Sequence, residues 1–119
     1  MEEMKWEIMR IFIGESDKAA HGPYQGKPLW EALLKDFRAR GLRGATVLRA
    51  IAGFGAHSRK EHTIFSEYLS SDLPIVIEVV DEAEKIRSLL PDIEQMLDGG
   101  MVTIEPVEVA IYQPHAEKS

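Results

Sequence analysis

The stretch GATVLRAIAGFGAHSR, Gly44 to Arg59, starts as a buried strand with Val47, Leu48 and Ile51 as its apolar members, then sets glycines on both sides of Phe54. Glycine costs backbone entropy and brings no side chain to pack, so a strand that finishes on two of them bends, bulges or clears room for a ligand. A polar segment follows, and then the apolar run LPIVIEVV from Leu73. Two strands joined in this way read as a hairpin with a long loop at about 56–72, and connections of that length are functional or disordered.

Working outward, IMRIFIGE from Ile8 carries apolar residues on both faces, as a central strand does. In PLWEALLKDFRARG, Trp30, Leu33, Leu34 and Phe37 recur at helical spacing, with Pro28 suited to the start and Gly41 to the stop. DEAEKIRSLLPDIEQML predicts a second helix with Asp81 as N-cap and Glu84 in capping-box spacing, bent or divided at Pro91. GGMVTIEPVEVAIY is a strand whose apolar phase slips by one between Ile104 and Val107, and Pro106 at the slip marks a bulge or a sheet edge.

The order β-α-β-β-α-β, with right-handed crossovers, gives an α+β ferredoxin-like sandwich. It has a four-stranded antiparallel sheet with two helices on one face. One domain over 1–119 is expected, with a flexible tail at about 113–119. If Met9, Ile11, Ile13, Ile75, Ile77 and Val79 meet the helices, the other face carries Ile8, Arg10, Phe12, Val76, Glu78 and Val80. That face is too apolar for water, so a partner subunit should cover it. Within this interface Phe12 is apolar, and Arg10 and Glu78 on neighbouring strands form a charge pair.

The chain has 119 residues, 45% hydrophobic and 29% charged, a net charge of −6 and no cysteine. Disulfides, zinc-thiolate sites and thiol catalysis are excluded. General affinity for nucleic acid needs a basic face, which this acidic composition argues against. The apolar runs are too short to span a bilayer, and MEEMKWE is acidic where a signal peptide is basic, so a cytoplasmic location is expected. Arg38, Arg40 and Arg43 cluster around Gly41 at a helix end, where cations are favoured on structural grounds.

Of the histidines, His57 and His62 stand near Glu61 and Glu67 and could hold a divalent cation. No nucleophile elbow, Walker-type loop or His-Glu-x-x-His helix is present, and no serine has a base partner at motif spacing, so no enzyme activity is expected. Gly53 and Gly55 instead expose backbone N–H groups to an anion, with Arg49, Arg59 and Lys60 close by in sequence.

GATVLRAIAGFG, a long polar loop and DLPIVIEVVD together resemble the PII signal-transduction proteins. GESDK (Gly14–Lys18), GKPL (Gly26–Leu29) and the late Val102-Thr103-Ile104-Glu105 resemble the uncharacterised PII-like branch of that superfamily more closely still. The resemblance runs from Ile8 to Tyr112. It implies a homotrimer with its sheets packed inward, and an adenine nucleotide (ATP, ADP or AMP) bound as effector in clefts between subunits. It also implies a loop that signals to a target protein, a membrane transporter being one candidate. Gly53, Phe54 and Gly55 match the motif at the base of that loop, near the phosphates and a metal ion. Ala56-His57 stands where classical members have Arg-Gln, and His57 could take the Gln's place as ligand. DGGMVT, Asp98 to Thr103, replaces a lysine-bearing phosphate loop. Gly99 and Gly100 can still present N–H groups, with Lys18, Lys27, Arg49 and Arg59 left to meet phosphate charge. Tyr68 falls where some PII proteins carry a modifiable tyrosine, but its surroundings do not match. Two other readings compete: a divalent-cation-binding trimer of the same fold, and a small enzyme acting on a phosphorylated metabolite.

Overall fold

Alternation decides which way each strand faces. In the computed structural model, which describes residues 4–55 and 72–116, β1 (Trp6–Gly14) buries Met9, Ile11 and Ile13, while β3 (Pro74–Glu82) buries Ile75, Ile77, Val79 and Asp81. The two pair antiparallel, with Ile11 opposite Ile77 and Arg10 opposite Glu78. β2 (Thr46–Arg49) lies outside β3, and β4 (Met101–Pro106) lies outside β1, both antiparallel to their neighbours. The sheet order is therefore β2-β3-β1-β4. This is the expected ferredoxin-like topology, and it makes Pro106 the end of an edge strand, where its missing N–H breaks no ladder.

The helices cover the face of Met9 and Ile11. α1 (Leu29–Ala39) buries Leu29, Ala32, Leu33 and Phe37. The expected stripe is thus rotated: Leu29 and Ala32 are inside, whereas Trp30 packs only partly against the core. Pro28 occupies the N-cap position, and Gly41 follows the last turn at φ +79°, donating its N–H to the Arg38 carbonyl. The second helix is divided, as Pro91 required, into α2 (Ala83–Ser88) and α3 (Leu90–Met96). Pro91 sits in the first turn of α3, where its absent donor leaves no bond unmade. Ile86, Leu89, Ile93 and Met96 complete the core.

Two expectations are corrected. β2 stops at Arg49, so Ala50 to Gly53 are not strand, although the Ala50 N–H still donates to the Pro74 carbonyl at 2.9 Å. Asp81 is not a helix N-cap; Glu82 takes that position with no side-chain cap bond. Asp81 is the last inward residue of β3 and is fully buried. It accepts from the Arg43 backbone N–H (2.8 Å), from Arg43 Nη1 (2.5 Å) and from the Glu82 N–H (2.7 Å). The Arg43 guanidinium also lies 4.8 Å over the Trp6 ring and 5.6 Å over Tyr112, tying the segment after β4 to the start of β1. Arg40 pairs with Asp36 and Asp92. Two of the three arginines around Gly41 are therefore engaged in packing.

On the outer face, antiparallel register lines side chains up in rows. Leu48, Val76, Phe12 and Met101 form one row across all four strands, and Thr46, Glu78, Arg10 and Thr103 form the next. Arg10 Nε bonds Glu78 at 2.9 Å, as expected, and Arg10 Nη1 also reaches Glu105 at 2.6 Å. Phe12 is 39% exposed, Leu48 48% and Met101 60%. Among the described residues no helix is long and apolar enough to cross a membrane.

Candidate functional site

At the end of the sheet where β1 finishes and β3 and β4 begin, three turns meet. The first leaves β1 at Gly14. The Gly14 N–H donates to Asp17 Oδ2 (2.9 Å), the Glu15 N–H to the Leu73 carbonyl (3.0 Å) and the Ser16 N–H to Asp72 Oδ1 (2.9 Å). These bonds pin the GESDK turn to the residues that enter β3. A side chain at Gly14 would come within 3.1 Å of both Asp17 Oδ1 and Asp72 Oδ1, so the two carboxyl groups converge there over bare backbone.

The second turn carries the glycine pair. Gly53 has φ +150°, and a Cβ on it would stand 3.0 Å from the Pro74 ring, so the chain needs glycine to cross the start of β3. Gly55 faces open space, with nothing within 4 Å of a built Cβ. The third turn is Gly99-Gly100. At Gly100, φ is +114° and a Cβ would lie 2.8 Å from the Phe12 carbonyl oxygen, which excludes any side chain as β4 comes onto β1.

Between them lies a cleft of about 380 Å³, within the range of small-ligand sites. Phe12, Ile13, Phe54, Pro74 and Met101 make its walls apolar, and Gly14, Gly55 and Gly100 open backbone to it. Among the described residues, the ionisable ones in its lining are Asp17 and Asp72. Of the residues proposed for nucleotide binding, Phe54, Gly55 and Gly100 line the cleft, and Gly53 supports it over Pro74. Arg49 stands outside the lining and grips Glu15 with both arms of its guanidinium, at 2.8 Å and 3.0 Å. Lys18 and Lys27 lie on the paired connection between β1 and α1, where Lys18 bridges Pro28 and the Ala19 N–H donates to the Lys27 carbonyl. Neither lines the cleft.

His57, His62, Arg59 and Tyr68 fall outside the described residues, and with them the metal-binding expectation. Among the described residues no group of three or more His, Cys, Asp or Glu could hold a metal ion. Sequence reasoning passed over Asp17 and Asp72. Asp17 lies three residues beyond Gly14, a spacing that lets a carboxylate accept from a turn N–H, but Asp72 becomes its neighbour only through the β1–β3 pairing.

In comparison with known proteins, residues 6–109 fit the DUF190 family, described as "Uncharacterized ACR, COG1993". A UPF0166 protein of Aquifex aeolicus is 41% identical over 110 residues, covering 92% of this chain and 97% of the relative. A UPF0166 protein of Methanocaldococcus jannaschii is 32% identical over 107 residues, covering 89% and 93%. Among solved structures, CPII of Thiomonas intermedia K12, bound to ADP and bicarbonate, is similar over 90% of each chain, at 18% identity and a TM-score of 0.49.

Proposed function

The chain belongs to the DUF190 family, and from that premise we propose that it is a PII-like regulatory protein rather than an enzyme. It binds an adenine nucleotide at the cleft above β1, β3 and β4, and signals to a target protein through the segment that follows Gly55. The observation that carries this reading is the convergence of the Gly53–Phe54–Gly55 and Gly99–Gly100 turns on one cleft. The sequence resemblance assigned both turns to nucleotide binding, although Gly99 lies 44 positions after Gly55.

The protein acts as a homotrimer closed over the outer sheet face, which supports the reading by its exposed row of Leu48, Phe12 and Met101. A cleft at the sheet's end then lies beside a neighbouring subunit. Nucleotide occupancy alters target affinity only if the ligand binds one state of the signalling segment better than another, since equal affinity shifts nothing.

Calorimetric titration with ATP, ADP and AMP, with and without magnesium, tests this. Binding of at least one adenine nucleotide is expected. Gly55→Val should weaken it by about tenfold or more without changing fold or mass, because the new side chain enters open space at the cleft. No heat with any nucleotide, but tight binding of a transition metal, would favour the cation-binding alternative. Turnover of the bound nucleotide would favour the enzyme.

A further inference from the structure

Arg49 ends β2 and Glu15 opens the turn after β1, and β3 lies between their two strands. Their side chains meet across the start of β3 in a fork, Nε to Oε2 at 2.8 Å and Nη2 to Oε1 at 3.0 Å. The same turn holds the chain where it re-enters the sheet, because the Glu15 N–H donates to the Leu73 carbonyl and the Ser16 N–H to Asp72 Oδ1. One short turn therefore grips residues on both sides of the connection between β2 and β3.

The grip matters because β2 is weakly held. It has four residues, and its last ladder pair is Arg49 itself opposite Ile75. Among the described residues, the Ala50 N–H to the Pro74 carbonyl is the last backbone bond before Gly53 crosses the Pro74 ring. Strand ends of this kind open locally while the fold stays intact. The two side chains of the pair are 56% and 31% exposed. Such a pair adds little to global stability, although a planar fork fixes direction as well as distance. A contact of that strength steadies one strand end and is easily exchanged. The turn also forms part of the cleft, through Gly14 and Asp17. Those two residues hydrogen-bond each other in both directions, so the cleft lining and Glu15 move as one unit.

Resting on the nucleotide reading above, we infer that the Glu15–Arg49 pair is a clasp that fixes the end of β2 and carries the state of the cleft to it. Both are positioning residues, which act without touching the ligand. A ligand that displaces Gly14 and Asp17 shifts the turn, and the turn takes Arg49 and residues 50–55 with it. The signalling segment departs from those residues.

The experiment reads amide hydrogen exchange by NMR at Ala50, with Ile11 in the sheet centre as control, with and without ATP, ADP or AMP. The proteins are wild type, Glu15→Gln and the charge swap Glu15→Arg with Arg49→Glu. Without ligand, Glu15→Gln should speed exchange at Ala50 by about three- to fivefold and leave Ile11 unchanged, and the swap should restore the wild-type rate. The bound nucleotide should alter exchange at Ala50 in wild type and in the swap, but not in Glu15→Gln, which keeps wild-type affinity for it. Equal exchange at Ala50 in wild type and Glu15→Gln, a swap as fast as the single substitution, or a nucleotide effect that survives Glu15→Gln would each overturn the inference. Lost affinity in Glu15→Gln would put the pair in contact with ligand and refute the positioning role. No binding of any of the three nucleotides to wild type brings down the nucleotide reading alone, because ligand-free exchange still judges the clasp. If Glu15→Gln fails to fold, salt decides on wild type: raising sodium chloride from about 0.05 M to about 1 M screens an exposed pair and should speed Ala50 relative to Ile11. An unchanged ratio would overturn the clasp.

Discussion

A buried carboxylate is tolerable only where donors surround it, and Asp81 shows how far that rule reaches in this chain. Three hydrogen bonds converge on it, and Arg43 carries the matching charge. Asp81→Ala would leave the Arg43 side chain with only Glu82 and two aromatic rings. We expect a loss of about 3–5 kcal/mol in urea unfolding, the scale for breaking a buried pair from one side; a loss under about 1 kcal/mol would mean the pair is dispensable. Asp36 is the opposite case. Its Oδ2 is buried with no donor in hydrogen-bond contact among the described residues. Burial, followed by hydrogen bonding to Asp92 and that residue's charge, raises its carboxyl above the ordinary aspartate value, against the pull of Arg40. A raised folded value means the protonated form fits the fold. The resulting stability is complete below the ordinary value and is lost as pH rises through the folded one. Asp36→Asn supplies a permanent donor, so the variant should gain about 1 kcal/mol at neutral pH and lose this part of the acid-range pH dependence. Parallel stability-against-pH curves for the two proteins would count against a raised Asp36 carboxyl.

At the scale of elements, legibility followed length and alternation. β1 and β3, nine residues each, were readable from their apolar runs, of which Met9, Ile11, Ile13, Ile75, Ile77 and Val79 are buried on the helix side. β2 was overestimated because its apolar pattern runs on through Ile51, yet Ile51 is 91% exposed and β3 gives it no partner after Arg49. The acid at position 81 fitted a helix start on local grounds; only the distant Arg43 showed that it belonged to the strand. α1 was readable as a helix but not in its rotation, because Leu29 in the first turn and the small Ala32 weigh little in a hydrophobic count. The glycine turns were legible one by one, whereas Asp17 and Asp72 were not, since their meeting depends on strand pairing. The consequence for stability is testable at Phe37, which is 1% exposed where α1 meets the sheet. Phe37→Ala should cost about 3–5 kcal/mol by chemical denaturation, while a value near zero would mean that the core refills the space.

For the whole molecule, the decisive surface is the outer sheet face. A trimer closed over Phe12 predicts that Phe12→Asp sediments as a monomer, with the wild type near three chain masses; a variant that keeps the wild-type mass would send the interface elsewhere. The same face carries the Arg10 contacts to Glu78 and Glu105, 68 and 95 residues away in the chain. That separation bears on how the protein is made. β1 precedes every other strand along the chain, but it holds the middle of the sheet between β3 and β4. Its neighbours start only at Pro74 and Met101, so its apolar residues wait without sheet partners until those distant segments are made. The sheet therefore closes around β1 only after those later segments exist, at the slower rates that distant pairings impose. Any factor that shields nascent chains would find its natural target in the stretch IMRIFIG.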